Sequence, residues 1–179
     1  VQTCALPILR QLLPKVPNPM LQKLAGPMTS GLGHEYTCST FQCADGSILG
    51  PITCRRTLKG GSSWLVEVAP EPTAAVLMRS IATAVPSVGS LNVQMMVVGE
   101  TAIPFELNAR FSGTTPIRAF FGFNEPEFAV RSYFLGETIS PPQIRKGICA
   151  RYVEEVFIED LTADQIQAPF PKGRTMGWF

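Results

Sequence analysis

Charge is scarce in this sequence. Only 16% of its 179 residues are Asp, Glu, Lys or Arg, and the formal net charge is +1. Soluble domains usually carry ~25% charged residues, so part of the surface is expected to lie against further protein. No basic stripe points to nucleic acid and no acidic tail to disorder, so no nucleic-acid partner is expected. Histidine is nearly absent: His34 is the only one. A Ser/His/Asp or Cys/His nucleophile system therefore has nothing to be built from, and His34 itself is expected to be a solvated loop residue. No apolar run reaches the ~18–20 residues that span a bilayer, so no membrane partner is expected. The N-terminus lacks the basic, apolar and small-residue order of a signal peptide. The five cysteines, Cys4, Cys38, Cys43, Cys54 and Cys149, are odd in number and scattered, which excludes a disulfide framework. No second Cys/His pair follows Cys38 and Cys43, so a zinc site there is not expected. Free, mostly buried thiols in a reducing cytoplasm are the expectation.

What is present is 45% apolar sequence with clear strand and turn signals. Pro14, Pro17 and Pro19 limit any helix before residue 19 to a turn or two. Residues 20–24 predict a short strand, followed by a Gly/Ser/Thr/Pro loop from Gly26 to Gly33. Tyr36 to Cys43 and Ile48 to Thr57 predict a hairpin closed by Ala44-Asp45-Gly46-Ser47, with Pro51 marking an edge or a bulge. Leu58 to Ser63 reads as a flexible Gly-rich loop and Trp64 to Val68 as a strand. Residues 71–85 predict a helix, with Pro72 in its first turn and Ala75, Leu77, Met78, Ile81 and Ala82 as its apolar stripe. Thr115 to Phe121 and Glu125 to Phe134 predict helices, the second capped by Asn124. Residues 148–158 return to strand.

The hairpin from Leu91 to Asn108 carries the chemistry. Val93, Met95 and Val97 alternate with Asn92, Gln94 and Met96, while Ile103, Phe105 and Leu107 alternate with Pro104, Glu106 and Asn108. With Gly99-Glu100-Thr101 as a three-residue connection, Val98 pairs with Ala102 and Gln94 falls opposite Glu106. Gln94, Glu106 and Asn108 then share one face. A carboxylate beside amide oxygens is a set of hard ligands of the kind Mg²⁺ takes alongside phosphate oxygens. Arg110 follows, and a guanidinium suits the phosphate charge that one ion leaves over. Of the adjacent Arg55 and Arg56, which face opposite ways on a strand, Arg56 is favoured as the inward one.

The order Gly-x-x-Asn-x-Gln, turn, Glu106-x-Asn108-x-Arg110, then a Ser/Gly loop opening a helix runs from Gly89 to Glu137. It resembles the C-terminal part of ATP-grasp domains, particularly the carbamoyl-phosphate-synthase-like branch. The resemblance extends upstream through His34 to Arg56 and covers roughly residues 19–158. It implies an α+β fold: a C-terminal ATP-grasp subdomain with an antiparallel sheet and helices packed on one face. It implies ATP with Mg²⁺, or Mn²⁺, as cofactors. Gln94 and Glu106 would hold one ion, Glu106 and Asn108 the second, and Arg110 would contact the phosphates or an acyl-phosphate. Glu35 would hydrogen-bond the ribose, Gln22 and Leu24 would lie at the adenine, and Arg56 and Asn92 would complete the nucleotide and substrate contacts.

The activity implied is ATP-dependent ligation, in which a carboxylate is activated as an acyl-phosphate and attacked by an amine or similar nucleophile. Its partners are small-molecule carboxylates and amines. Two other readings stay open: a nucleotide-binding regulatory module without catalysis, and a carbamoyl-phosphate-synthase or biotin-carboxylase type of enzyme. Residues 1–18 do not match, and Val1 to Ile8 read as artefactual. Residues 159–179 read as a truncated peripheral tail. The N-terminal ATP-grasp subdomains, which close over the phosphates, are expected as missing partners of a fragment, and a homodimer is left open.

Overall fold

The computed structural model describes residues 10–20, 22–27 and 31–152, together with the backbone of Val156–Phe157 and Arg174–Thr175. Val1 to Ile8, Cys4 and most of the tail beyond Glu159 lie outside the described residues. The centre is a six-stranded antiparallel sheet ordered β5-β4-β1-β2-β3-β6. Its strands are β1 (Glu35–Gln42), β2 (Ile48–Lys59), β3 (Ser62–Val68), β4 (Gly89–Val98), β5 (Thr101–Asn108) and β6 (Gly147–Ala150). Among the described residues a 3₁₀ turn at Leu13–Lys15 precedes it and three helices accompany it: α1 (Pro72–Ala84), α2 (Thr115–Phe120) and α3 (Glu125–Ala129), the last running into a π-helical turn over Val130–Phe134.

Local chemistry explains most of these elements. Between β1 and β2, Gly46 takes φ +84°, and the Ser47 amide and hydroxyl donate to Asp45 Oδ1. A side-chain cap of this kind is why Asp-Gly favours hairpins. Further along, Ser39 pairs with Ile52 and Phe41 with Leu49, so Gly50 and Pro51 face Thr40 alone. That is a β-bulge, which places the proline within an inner strand without requiring a ladder donor from it. The β2–β3 connection is tighter than its glycines suggested. Lys59 pairs with Ser62, leaving only Gly60 and Gly61, both at positive φ, as the turn residues that a two-residue hairpin needs.

α1 opens with Pro72, and the Glu71 carboxylate accepts from the Thr73 amide. It ends at Val85, at φ −122° and ψ 77°, outside the helical region that the following Pro86 disfavours. Ala74, Met78 and Ala82, spaced by four, are buried against Cys38, Leu91, Val93, Met95 and Val97. Ala74, absent from the expected stripe, belongs to it, whereas Ala75 is half-buried. Full burial of a side chain such as Met78 contributes about 1.5–3 kcal/mol. On the opposite face, Ile52, Cys54, Val66 and Val68 meet Ile117, Phe121, Phe123 and Phe128. The α+β class and antiparallel sheet are as expected. α1 alone covers one face, and α2 and α3 add cover at one end of the other. Being roofed on both sides, β1 is buried continuously from Thr37 to Phe41.

Two further expectations are corrected. The described residues between 20 and 24 are not strand: Met20 and Leu24 are exposed, and the bond from Gln22 to β5 comes from its side chain and not from a backbone ladder. The expected strand over 148–158 ends at Ala150, and Val156–Phe157 pairs separately with Arg174–Thr175.

Candidate nucleotide and metal site

The β4–β5 hairpin reaches its expected pairing by an unexpected route. Its turn has two residues, not three, since Val98 pairs with Thr101, and Gly99 adopts φ +60°. The ladder then slips by one between Met95–Pro104 and Gln94–Glu106, with Phe105 the extra residue on β5. This bulge adds back the residue that the turn lacks, so Gln94 stands directly opposite Glu106 and Asn92 opposite Asn108. Thr37 of β1 lies across from Gln94 and Cys54 of β2 across from Thr37. One row of the sheet therefore reads Cys54, Thr37, Gln94, Glu106, all on the same face.

Along this face Asn108 Nδ2 donates to Glu106 Oε1 at 2.7 Å, which orients both side chains outward at the end of β5. Two residues along from Thr37 and Cys54 stand Glu35 and Arg56. Arg56 is favoured inward by sequence and is found there: its Nε and Nη2 donate to Glu35 Oε1 at 2.9 and 2.7 Å, and Nη2 also donates to Gln94 Oε1 at 2.7 Å. Nη1 donates to Ser63 Oγ at 3.2 Å, and the Arg56 side chain is only 10% exposed. Arg55 points to the other face, where it pairs with Glu67 at 2.6 Å.

Glu35 and Arg56 form the polar wall of a cleft of about 400 Å³. Leu24, Pro27, Leu58 and Met96 supply its apolar side, with His34 and Thr57 also lining it. An apolar slot with a few convergent polar groups is the usual form of a small-ligand site. Leu24, Glu35 and Arg56, singled out by sequence as nucleotide contacts, therefore meet in one cleft. Through Arg56 that cleft joins the row carrying Gln94 and Glu106.

Other candidates lie elsewhere. Gln22 Nε2 donates to the carbonyl of the bulged Phe105, so Gln22 sits beside β5 and not in the cleft. Asn92 is 1% exposed, and its amide nitrogen bonds Thr37 Oγ1 at 2.8 Å and the Cys38 carbonyl at 3.0 Å. It therefore ties β4 to β1, with no amide hydrogen facing a ligand. Arg110 is exposed just beyond β5 and bonds the Phe111 carbonyl. His34, expected to be solvated, is half-buried: its amide oxygen accepts from Val97 N, and its Nδ1 lies 3.0 Å from the Val97 carbonyl. A carbonyl only accepts, so Nδ1 carries the proton, and His34 extends the β1–β4 ladder.

The described cysteines form no disulfide. Cys38, Cys43 and Cys54 are buried free thiols and Cys149 is half-buried. Burial pushes the Cys54 thiol up to about 12 and the Cys38 thiol upward as well. Tyr36, whose hydroxyl donates to Glu71, is likewise raised to about 12, by burial first and then by the Glu71 charge.

Sequence reading missed Met96 as a cleft wall, although its alternation with Val97 puts it on the Gln94 face. It also missed an ion pair at the far end of the same face. Arg118 of α2 and Glu125 of α3 are both fully buried, Nε to Oε2 at 2.8 Å. Glu125 also accepts from Ser39 at 2.6 Å and from Ser90. Arg118 donates to Thr114 and Thr115, and these threonines hydrogen-bond Ser112. The network seats the loop that follows Arg110. The lone arginine in Thr115-Pro116-Ile117-Arg118-Ala119-Phe120 was its only signal, and a six-residue helix is too short for a period to show which way it points.

No protein-family model and no curated protein matches the chain. Solved structures do. Carboxyaminoimidazole ribonucleotide synthase from Aspergillus clavatus, complexed with ATP, is 18% identical with a TM-score of 0.52, over 68% of this chain and 34% of that one. N5-carboxyaminoimidazole synthetase from Staphylococcus aureus, complexed with ADP, is 10% identical with a TM-score of 0.53, over 66% and 34%. An Aspergillus clavatus complex with ADP and 5-aminoimidazole ribonucleotide is 15% identical with a TM-score of 0.53, over 71% and 37%. The chain thus spans about a third of the length of these enzymes. They are ATP-grasp enzymes, and this chain has the fold of the corresponding part of them.

Proposed function

We propose that this chain supplies the Mg-ATP-binding half of an ATP-dependent ligase that activates a small carboxylate for attack by an amine or similar nucleophile. The observation that carries the reading is the continuity of the site. A cleft sized for a nucleotide base and sugar leads, through Arg56, to an oxygen-rich row at Gln94, Glu106 and Asn108. In this reading Leu24 and Met96 hold the base, Glu35 accepts from the ribose hydroxyls, and Arg110 faces the phosphates.

The donor set fits Mg²⁺. Glu106 offers a carboxylate, and Gln94 and Asn108 offer amide oxygens on the same face. Among the described residues no three of His, Cys, Asp and Glu cluster, so the row falls short of a dedicated metal cage. Mg²⁺ keeps several waters and is commonly held by one or two carboxylates plus substrate phosphates, which is what a single carboxylate flanked by amides provides. Gln94, Glu106 and Asn108 would hold the ion, and its charge would offset that of the phosphoryl group being transferred. Arg110, free of any carboxylate partner among the described residues, would add a second positive charge there.

Calorimetric titration of the chain with Mg-ATP tests this reading. Binding that is weakened at least tenfold by Glu35→Gln and by Glu106→Gln is expected; equal binding by wild type and both variants would remove it. Phosphate release that depends on a carboxylate, in a longer protein containing this chain, separates the ligase from a regulatory module. The 179-residue chain alone is expected to produce no steady ADP, because one side of the site leaves the phosphates in water.

A further inference from the structure

The Arg56 guanidinium lies where a site for a divalent cation would have to be opened. It reaches diagonally from β2 over β1 to β4, which is feasible because the residue it crosses, Thr37, is small and fully buried. At Gln94 it engages Oε1, the only oxygen that side chain can give a metal. It is held there by three anchors: both bonds to Glu35 Oε1 and the one to Ser63. The Glu35 bonds are to one carboxylate oxygen, so the guanidinium is hinged at Glu35 and can swing off Gln94 without losing that partner.

We propose that Arg56 is the residue that makes metal binding conditional on nucleotide. This rests on the Mg-ATP reading above and adds an order of events to it. Mg²⁺ sits ~2.0–2.1 Å from an oxygen ligand, and the Arg56 Nη2 nitrogen sits 2.7 Å from that same oxygen. A divalent ion and a guanidinium sharing Gln94 Oε1 would be neighbours of like charge, and among the described residues the carboxylates beside them, Glu106 and Glu35, offset two of the three positive charges. Free metal is therefore disfavoured. The polyphosphate of a nucleotide adds the missing negative charge and offers Arg56 stronger acceptors than an amide oxygen. Arg56 then turns from Gln94 toward phosphate, and Gln94 Oε1 is released to the ion. The two ligands bind with positive coupling, each raising the affinity of the other by the same factor. The site is thereby protected from binding metal without nucleotide.

The test is a Mn²⁺ titration of the 179-residue chain, followed by the electron paramagnetic resonance of the free ion, with and without ATP. Wild type, Arg56→Gln, Arg56→Met, Arg56→Lys and Glu106→Gln are compared after thermal melts confirm folding; the Gln and Met variants remove the charge with different packing. Loss of the charge is expected to tighten Mn²⁺ binding without nucleotide by about tenfold, within the usual span of coupling factors, and to shrink the enhancement by ATP. Arg56→Lys should stay near wild type. Unchanged Mn²⁺ affinity in the uncharged variants, with Glu106→Gln still abolishing binding, would overturn the role of Arg56 and leave the metal site standing. Mn²⁺ binding that ignores Glu106→Gln under every condition would overturn the Mg-ATP reading, and the Arg56 proposal with it.

Discussion

Two polar clusters share one face of this sheet, and they differ in what they leave unpaired. At one end Arg118, Glu125, Ser39, Ser90, Thr114 and Thr115 are buried and bonded to one another. At the other end Glu106 and Arg110 are exposed, and among the described residues Glu106 has a single hydrogen bond, from Asn108. Buried charges are tolerated only when paired and fully hydrogen-bonded, so the first cluster is an element of structure. An exposed carboxylate such as Glu106 adds little to stability; in the Mg-ATP reading proposed above, its arrangement with Gln94 and Asn108 serves binding instead. The paired cluster in turn seats the loop that leaves the open one.

The comparison can be broken most sharply at the ion pair. Arg118→Met or Glu125→Leu alone leaves an uncompensated buried charge, and each is expected to destabilise the chain by about 3–5 kcal/mol in urea unfolding. The double variant should recover most of that loss. A double variant as unstable as the sum of the singles would show that the cluster is more than a self-contained pair.

A second substitution probes the same end without touching a charge. Gly122 follows α2 at φ +101°, and a Cβ there would press against the Gln143 carbonyl. Gly122→Ala is expected to cost about 1–3 kcal/mol, read as a fall in the urea midpoint at constant slope.

At the open end, Glu106→Gln is expected to change stability by no more than about 0.5 kcal/mol while removing metal-dependent nucleotide binding. A large loss of stability in this variant would erase the distinction between the two clusters.

The mildest probe is alkaline pH. The Cys54 thiol is raised by burial from 9.0 to about 12 and the Tyr36 hydroxyl from 10.0 to about 12. In both, the folded state holds its proton more tightly than the unfolded chain does. Their contribution is therefore complete below pH 9 and is lost as pH rises from about 9 through 12. The melting temperature should be level from pH 7 to 8.5 and decline above it, with a shallower decline in Cys54→Ala.

How much of this was legible in sequence depended on the range of the interaction. Asp45-Gly46, Pro72 and the alternation of Val93, Gln94 and Met95 act within a few residues, so their hairpin, helix start and strand faces could be read directly. The pairing of Gln94 with Glu106 was also read, but for an incomplete reason: a shorter turn and a bulge at Phe105 together restore the register. A bulge is settled by how two strands and their neighbours pack, which no local pattern records. Tertiary structure likewise decided that Arg56 crosses Thr37 to reach Gln94, that Leu24 lines the cleft without belonging to a strand, and that Asn92 bonds inward. It alone joined Arg118 to Glu125. Residue types and their spacing determined which side chains could share a face; only the packed sheet, with burial requiring a partner for each polar group, determined which of them bond one another and which stay open to a ligand.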